Sequence, residues 1–256
     1  MANGITIRSS IESLENTPNG LDALRDGYGK MQGISDNRGW IYWSGIHGFA
    51  QFMCWHHGRA GMGDLVPYDL FLPWHRAYLL YFEHTVRDQN NDAALPWWDW
   101  TSDNAHTIGI PNSFATDPVL ASGPMPAIPP DAARQTNRSS ADPGGLPTAD
   151  DVNKLMSLGN FVDFSTQLQD IHDSVHGWVS GDMGVVATSA FDPIFWSHHC
   201  MIDRIWCLWQ LQNGVNNIPA DYLDKALAPF ALTVQGVLDI NRLGYEYADA
   251  LVTVGT

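Results

Sequence analysis

The 256-residue chain lacks several features that mark common functional classes. It has 13 basic against 28 acidic residues and no basic run, which argues against nucleic acid or an anionic membrane as partner. No apolar stretch approaches the roughly 20 residues that span a bilayer, and the N-terminus has no apolar signal-peptide core. We therefore expect neither nucleic-acid binding nor membrane insertion. The compartment stays open between the cytoplasm and export with a partner.

Glutamate and cysteine are both scarce. None of the four glutamates stands three residues before a histidine, so the Glu-x-x-His pairs of carboxylate-bridged di-iron bundles are absent. The His-Glu-x-x-His motif of zinc proteases is absent as well. Three cysteines do not make a disulfide framework. We interpret Cys200 and Cys207 as buried thiols.

Histidines, in contrast, are clustered. His172 and His176 are four residues apart, so on a helix both imidazoles leave the same face. A histidine from residues 192–203 could complete a three-imidazole metal site. The front half offers a second triad from His47, the His56-His57 pair and His75. All-imidazole sites suit copper better than harder ions, so two such triads indicate a pair of copper ions and dioxygen chemistry.

The pattern of apolar residues and helix-breaking residues predicts a mainly α protein. We expect helices at about residues 22–31, 40–54, 74–88, 161–179 and 197–212, with a four-helix bundle at the centre. Residues 101–148 hold most of the prolines and predict a long surface excursion with irregular loops. Candidate ligands lie on both sides of it, so we expect one domain over residues 1–256.

Two segments carry a family resemblance. Residues 192–203, DPIFWSHHCMID, resemble the second copper signature of the tyrosinase family, the type 3 dicopper proteins, in which His199 would be the ligand. Residues 71–83, FLPWHRAYLLYFE, resemble the first signature, ending in ligand His75. The resemblance assigns His47 to the first copper, and His172 and His176 to the second.

The third ligand of the first copper departs from the family pattern. Leu65 and Val66 stand where the family usually has this histidine. We favour His56, with His57 as the alternative. Cys54-Trp-His56 has the spacing at which many members form a thioether, so Cys54 is a candidate for that bond.

The neighbourhood of His172 departs as well. Asp173 stands where the family often has Asn, and the sequence reads Gln169-Asp170 where an acidic residue is common. In the family these positions hold a water thought to take the proton of a phenol. Asp170 or Asp173 could serve as general base, with geometry left open. Phe195 is a candidate for the substrate entrance.

Two further histidines are interpreted as supporting residues. His84 lies nine positions after His75, half a turn out of phase, and should face away from the metals. His198 adjoins His199 but should project elsewhere on the helix, with a hydrogen bond favoured over metal ligation.

The resemblance implies a polyphenol oxidase with two copper ions and O2 as co-substrate. It would hydroxylate monophenols at the ortho position, oxidise o-diphenols to o-quinones, or both. The alternatives are a catechol oxidase or o-aminophenol oxidase without monophenolase activity and, from another class, a hemocyanin-like oxygen-binding protein. The chain ends soon after Tyr247, so we expect no covering C-terminal domain. A copper-delivery or export partner and a homo-oligomer are compatible with the sequence.

Overall fold

The computed structural model describes residues 4–48, 70–128, 130–215 and 217–248. The helices in this part of the chain are α1 Ile11–Glu15, α2 Asp22–Gln32, α3 Trp40–Gly48, α4 Phe71–Gln89, α5 Ala105–Ile108, α6 Asn112–Thr116, α7 Ala149–Met156, α8 Phe161–Val179, α9 Ile194–Asn213 and α10 Ile240–Leu243. The strands are β1 Thr6–Arg8, β2 Pro124–Met125, β3 Arg134–Gln135 and β4 Tyr245–Tyr247. Helices α3, α4, α8 and α9 carry the clustered histidines, which confirms the predicted mainly α fold.

Helix α4 begins one turn earlier than predicted. Its first residue is Phe71, so Pro73 falls in the first turn of the helix. Proline is tolerated there because an N–H in the first turn has no intrahelical acceptor. The earlier start matters for the site, since it places the Phe71 carbonyl one turn before His75.

Helix α8 matches its predicted bounds. The Asn160 side chain accepts hydrogen bonds from the amides of Val162 and Asp163 and so caps the helix. Its buried residues recur three or four positions apart, which directs His172 and His176 into the core.

Helix α9 also begins earlier than predicted, directly after Pro193. The Ile194 amide donates to the Asp192 carboxylate at 3.1 Å, so this side chain satisfies one donor at the start of the helix. Because its residues from Ile194 to Cys207 are all buried, α9 is the central helix of the bundle.

Residues 101–148 were predicted to form a surface excursion, but several of them pack against the core. Within their described part they form α5, α6 and the antiparallel pair β2–β3. Phe114 and Leu120 have no exposed surface, and Met125 and Leu146 are also buried. The proline-rich composition correctly indicated an irregular backbone. It did not indicate that apolar residues of this segment pack into the core.

A buried ionic network ties both ends of the described chain to the bundle. Strand β1 pairs in parallel with β4, and Arg8 donates to Glu83 at 2.8 Å. Asp203 accepts hydrogen bonds from Arg76 at 2.5 Å and from the hydroxyls of Tyr245 and Tyr247 at 2.7 and 2.6 Å. Arg8, from strand β1, donates to the same carboxylate at 3.4 Å. Among the described residues, no helix combines the length and apolar character needed to cross a membrane.

Candidate metal centre

Five of the predicted ligands meet in the core, together with one histidine that was not predicted to join them. His172, His176, His198 and His199 place ring nitrogens within 4.8 Å of one another, and so do His47, His75 and His199. All six are buried. His199 belongs to both groups, so it lies between the two candidate sites. His84, on the same helix as His75, is exposed and outside both groups, as predicted.

Hydrogen bonds fix which nitrogen of each imidazole faces the cluster. The Nδ1 atoms of His47, His75 and His176 lie 2.9, 2.8 and 2.7 Å from the carbonyl oxygens of Val186, Phe71 and Met183. A carbonyl only accepts, so each Nδ1 carries the proton and each Nε2 keeps its lone pair. His172 Nδ1 lies 2.9 Å from the Asp173 carboxylate, which selects the same tautomer.

The spacing of these nitrogens fits a metal ion. His199 Nε2 lies 3.1 Å from His172 Nε2 and 3.3 Å from His176 Nε2. Metal–nitrogen bonds of about 2.0 Å at tetrahedral angles put ligand nitrogens about 3.3 Å apart. Lone pairs brought this close repel one another unless a cation lies between them. The chemistry of the donors, all imidazole, suits copper.

Burial keeps the imidazoles neutral. It lowers the pKa of His47 to about 3 and the pKa of His176 to about 4, in each case against a hydrogen bond to a carbonyl that favours the protonated form. The pKa values of His75 and His199 are also well below the usual value, through burial and then through neighbouring histidines. Neutral imidazole is the form that binds a metal ion.

The metal-free protein should therefore lose stability in mild acid. His47 and His176 have folded-state pKa values below the unfolded value of about 6.5, so their contribution is present above pH 6.5 and is lost as the pH falls toward 4. Between pH 7.5 and 5 we expect a loss of about 2 kcal/mol for each of them. Urea unfolding of copper-free protein measures this loss. A free energy of unfolding that is unchanged at pH 5 would contradict the neutral assignment.

Aromatic rings enclose the cluster. Phe195 is fully buried, with its ring centroid 4.1 Å from that of His199 and 4.8 Å from that of His47. Phe71 contacts both His75 and His172 with centroid distances of 4.8 Å. These rings exclude water from the imidazoles and hold their planes. The role of Phe195 at a substrate entrance stays a prediction.

The expectation that His198 projects away from the metals is wrong. Its ring is fully buried and stacks on His172 at 5.1 Å with an interplanar angle of 16°. It meets His176 edge-on at 5.0 Å, and burial, followed by the nearness of the His176 imidazole, keeps the pKa of His198 well below the usual value. Adjacent residues on a helix point about 100° apart. His172 and His176 nevertheless contact both rings, with centroid distances of 5.1 and 5.0 Å to His198 and of 4.7 and 5.5 Å to His199.

His198 should act on its neighbours through its ring. We expect His198→Phe to retain two copper ions per chain, because phenylalanine preserves the stacking on His172. His198→Ala should lower copper affinity by about 10-fold or more, the cost usually found when groups that orient a ligand are removed. Copper content after dialysis against a chelator measures both variants. If His198→Phe lost one copper ion, this result would instead show that a ring nitrogen of His198 is a copper ligand.

A cavity opens beside His172 and His176. It has a volume of about 210 Å³, and its described lining comprises His172, Asp173, His176, Gly177, Met183, Gly184, Val186 and Ser189. Asp173 is 41% exposed and lies in this lining, whereas Asp170 is exposed elsewhere on α8. Gln169 is buried one turn before His172. Of the three candidates for handling the phenol proton, Asp173 is the one beside the cavity.

Three predicted residues lie outside the described residues. They are His56 and His57, the alternatives for the third ligand of the first copper, and Cys54, the thioether candidate. Their assignments stay predictions.

Known proteins resemble this chain in both sequence and fold. The sequence model described as the common central domain of tyrosinase matches residues 31–128 and 127–212. A hemocyanin of Enteroctopus dofleini is 29% identical over 216 residues, which cover 70% of this chain and 17% of that protein. A tyrosinase of Hahella sp. is 28% identical over 281 residues, covering 86% of this chain and 58% of that protein.

A solved structure extends the similarity to the whole fold. The tyrosinase of Burkholderia thailandensis superposes with a TM-score of 0.78 at 20% identity, covering 96% of this chain and 74% of that one. This chain spans less than two thirds of the length of the two sequence relatives above. The two copper ions of this family fit the buried histidine cluster. The match to the central domain covers more than half of the sequence, and the chain belongs to the tyrosinase family.

Proposed function

We propose that this protein oxidises phenols with O2, using two copper ions held by its histidines. The observation that carries the proposal is the cavity of about 210 Å³, which reaches His172 and His176 from the surface. A phenol ring needs such an opening to approach the metals, and the cavity is lined by apolar and small residues around one carboxylate.

The proposed ligands are divided between the two sites. His47 and His75, with His56 or His57, would hold the first copper; His172, His176 and His199 would hold the second. When bound, the copper pair supplies the electrons that reduce O2 and receives electrons from the phenol. The protein holds the imidazoles neutral and oriented, and keeps the surroundings dry.

Asp173 is the proposed acceptor of the phenol proton. Its carboxylate lies in the cavity lining, with one oxygen 2.9 Å from His172 Nδ1. A carboxylate there can take a proton from a hydroxyl that enters the cavity. An o-diphenol loses its first proton more readily than a monophenol, so it depends less on this base.

The proton acceptor can be tested by comparing two substrates. Asp173→Asn should reduce turnover of a monophenol by about 100-fold or more, the usual contribution of a general base, with a smaller effect on the matching o-diphenol. Asp170→Asn is the matched control on the same helix, and we expect it to leave both rates unchanged. Equal losses on both substrates in Asp173→Asn would indicate that this residue orients His172 only.

Two other functions are retained because specific observations favour them. The departures at Gln169 and Asp173 favour a catechol oxidase or o-aminophenol oxidase without monophenolase activity. The similarity to the Enteroctopus hemocyanin favours an oxygen-binding protein. Copper-loaded protein that binds O2 reversibly but oxidises no phenol would support the oxygen-binding function.

A further inference from the structure

The segment between α8 and α9 orients one candidate ligand of each copper. We name residues 180–192 the orienting segment. Its Met183 carbonyl accepts from His176 Nδ1 at 2.7 Å, and its Val186 carbonyl accepts from His47 Nδ1 at 2.9 Å. His176 belongs to the group with His172, His198 and His199, and His47 belongs to the group with His75 and His199. The position of this one segment therefore affects both sites.

Arg134, from β3, fastens the first half of the orienting segment. Its guanidinium donates to both carboxylate oxygens of Asp182 at 2.6 and 2.7 Å, and the Asn137 amide donates to the same carboxylate at 2.8 Å. The Asp182 amide in turn donates to the Asn137 carbonyl at 3.0 Å. Asp182 directly precedes Met183, so these bonds fix the peptide that carries the orienting carbonyl.

The backbones are also in close contact at this point. Gly181 has a φ of +58°, and a Cβ atom there would lie 2.4 Å from the Asn137 carbonyl oxygen. Only glycine fits such an approach without moving one of the two chains. The amide of Ser139 donates to the Val179 carbonyl at 3.2 Å, and the amide of Ala141 donates to the Trp178 carbonyl at 3.0 Å. Residues 134–141 thus run along the end of α8 and the start of the orienting segment.

Arg138 binds the C-terminal end of the orienting segment, at Asp192. It donates to the buried Asp192 carboxylate through Nε at 2.7 Å and through a second, shorter contact from Nη2. It also donates to the carbonyls of Phe114 and Leu120. A bidentate guanidinium–carboxylate pair fixes direction as well as distance, which a lysine ammonium does not.

We propose that Arg134 and Arg138 are positioning residues for the copper centre, acting through Asp182 and Asp192 on the carbonyls that orient His176 and His47. This inference rests on the copper ligands of the proposed function. It assigns a role to two residues of the segment 101–148, which the sequence predicted to be a surface excursion. The role is indirect, since the two arginines pair with the carboxylates of Asp182 and Asp192.

Arg134 offers the sharper test because it is 36% exposed and its replacement leaves no large buried void. The variants are Arg134→Gln and Arg134→Lys, with Arg38→Gln as control, since Arg38 makes an exposed ion pair with Asp36. Copper affinity is measured by competition with a chelator at pH 7.5. The free energy of unfolding of each copper-free variant is measured separately at the same pH. The EPR spectrum with one equivalent of Cu(II) reports the ligand geometry.

We expect Arg134→Gln to lower copper affinity by about 10-fold or more and to alter the EPR spectrum, with Arg134→Lys intermediate. Arg38→Gln should change neither. A copper affinity and EPR spectrum of Arg134→Gln equal to those of the wild type would overturn the inference while leaving the proposed function standing. An affinity loss fully explained by the unfolded fraction, with an unchanged spectrum, would overturn it too. A wild-type protein that binds no copper would overturn both.

Discussion

Replacing His199 with Ala should abolish oxygen chemistry. The His199 ring lies between the two histidine groups, with its Nε2 3.1 Å from His172 Nε2, and it stacks on His75 at 4.5 Å. Its removal deprives the second copper site of one ligand nitrogen. It also removes the ring that stacks on His75 in the first site. Removal of groups that only orient a ligand already costs about 10- to 100-fold, so loss of the ligand itself should exceed about 100-fold in oxidation rate.

Copper content and O2 uptake measure this effect together. We expect His199→Ala to hold at most one copper ion per chain after dialysis and to take up O2 at background rate with an o-diphenol. His84→Ala is the matched control, because His84 is an exposed histidine on α4 outside both groups. It should keep both copper ions and full activity. Retained oxidation by His199→Ala would contradict the ligand assignment.

The second large effect concerns stability. Asp203 is 3% exposed and accepts hydrogen bonds from Arg76, Tyr245 and Tyr247, and from Arg8 at 3.4 Å. Burial raises the pKa of this carboxyl, but Arg76 and Arg8 outweigh burial and hold the pKa below its usual value. Asp203→Asn keeps the shape and removes the charge. Arg8 then keeps Glu83 as its carboxylate partner, but the buried guanidinium of Arg76 loses the carboxylate with which it pairs, which should cost about 3–5 kcal/mol.

Urea unfolding of the copper-free protein, followed by tryptophan fluorescence, measures the loss. Asp239→Asn is the control: Asp239 caps α10 through the amides of Asn241 and Arg242, and asparagine caps a helix about as well as aspartate. We expect its free energy of unfolding to stay within about 0.5 kcal/mol of the wild type. A loss below about 1 kcal/mol for Asp203→Asn would show that the network contributes little to stability.

The sequence predicted the helices and the clustering of the histidines best where period and motif agree. The spacing of His172 and His176 predicted their shared face, and α8 has the predicted bounds because an Asn cap and an apolar stripe mark it. Helices α4 and α9 begin three residues earlier than predicted, with Pro73 and Pro193 at their starts. Both prolines are in fact compatible with a helix start.

The parts that the sequence could not predict depend on contacts between distant segments. His198 joined the cluster because α8 presents His172 to it, and no pattern within α9 contains that information. The ion pairs of Arg134 and Arg138 with Asp182 and Asp192 likewise join residues about 50 positions apart. Single-sequence reading finds periodicity, and such pairings leave no periodic signal.

The most direct test is O2 uptake by the copper-loaded protein, with a monophenol and the matching o-diphenol measured side by side. The account predicts uptake with the o-diphenol that requires copper and is lost in His199→Ala. Uptake with the monophenol as well would support Asp173 as the acceptor of the phenol proton. Uptake with the diphenol alone would identify the protein as a catechol oxidase. No uptake with either substrate, by protein that holds two copper ions, would contradict the proposed phenol oxidation and favour oxygen binding instead.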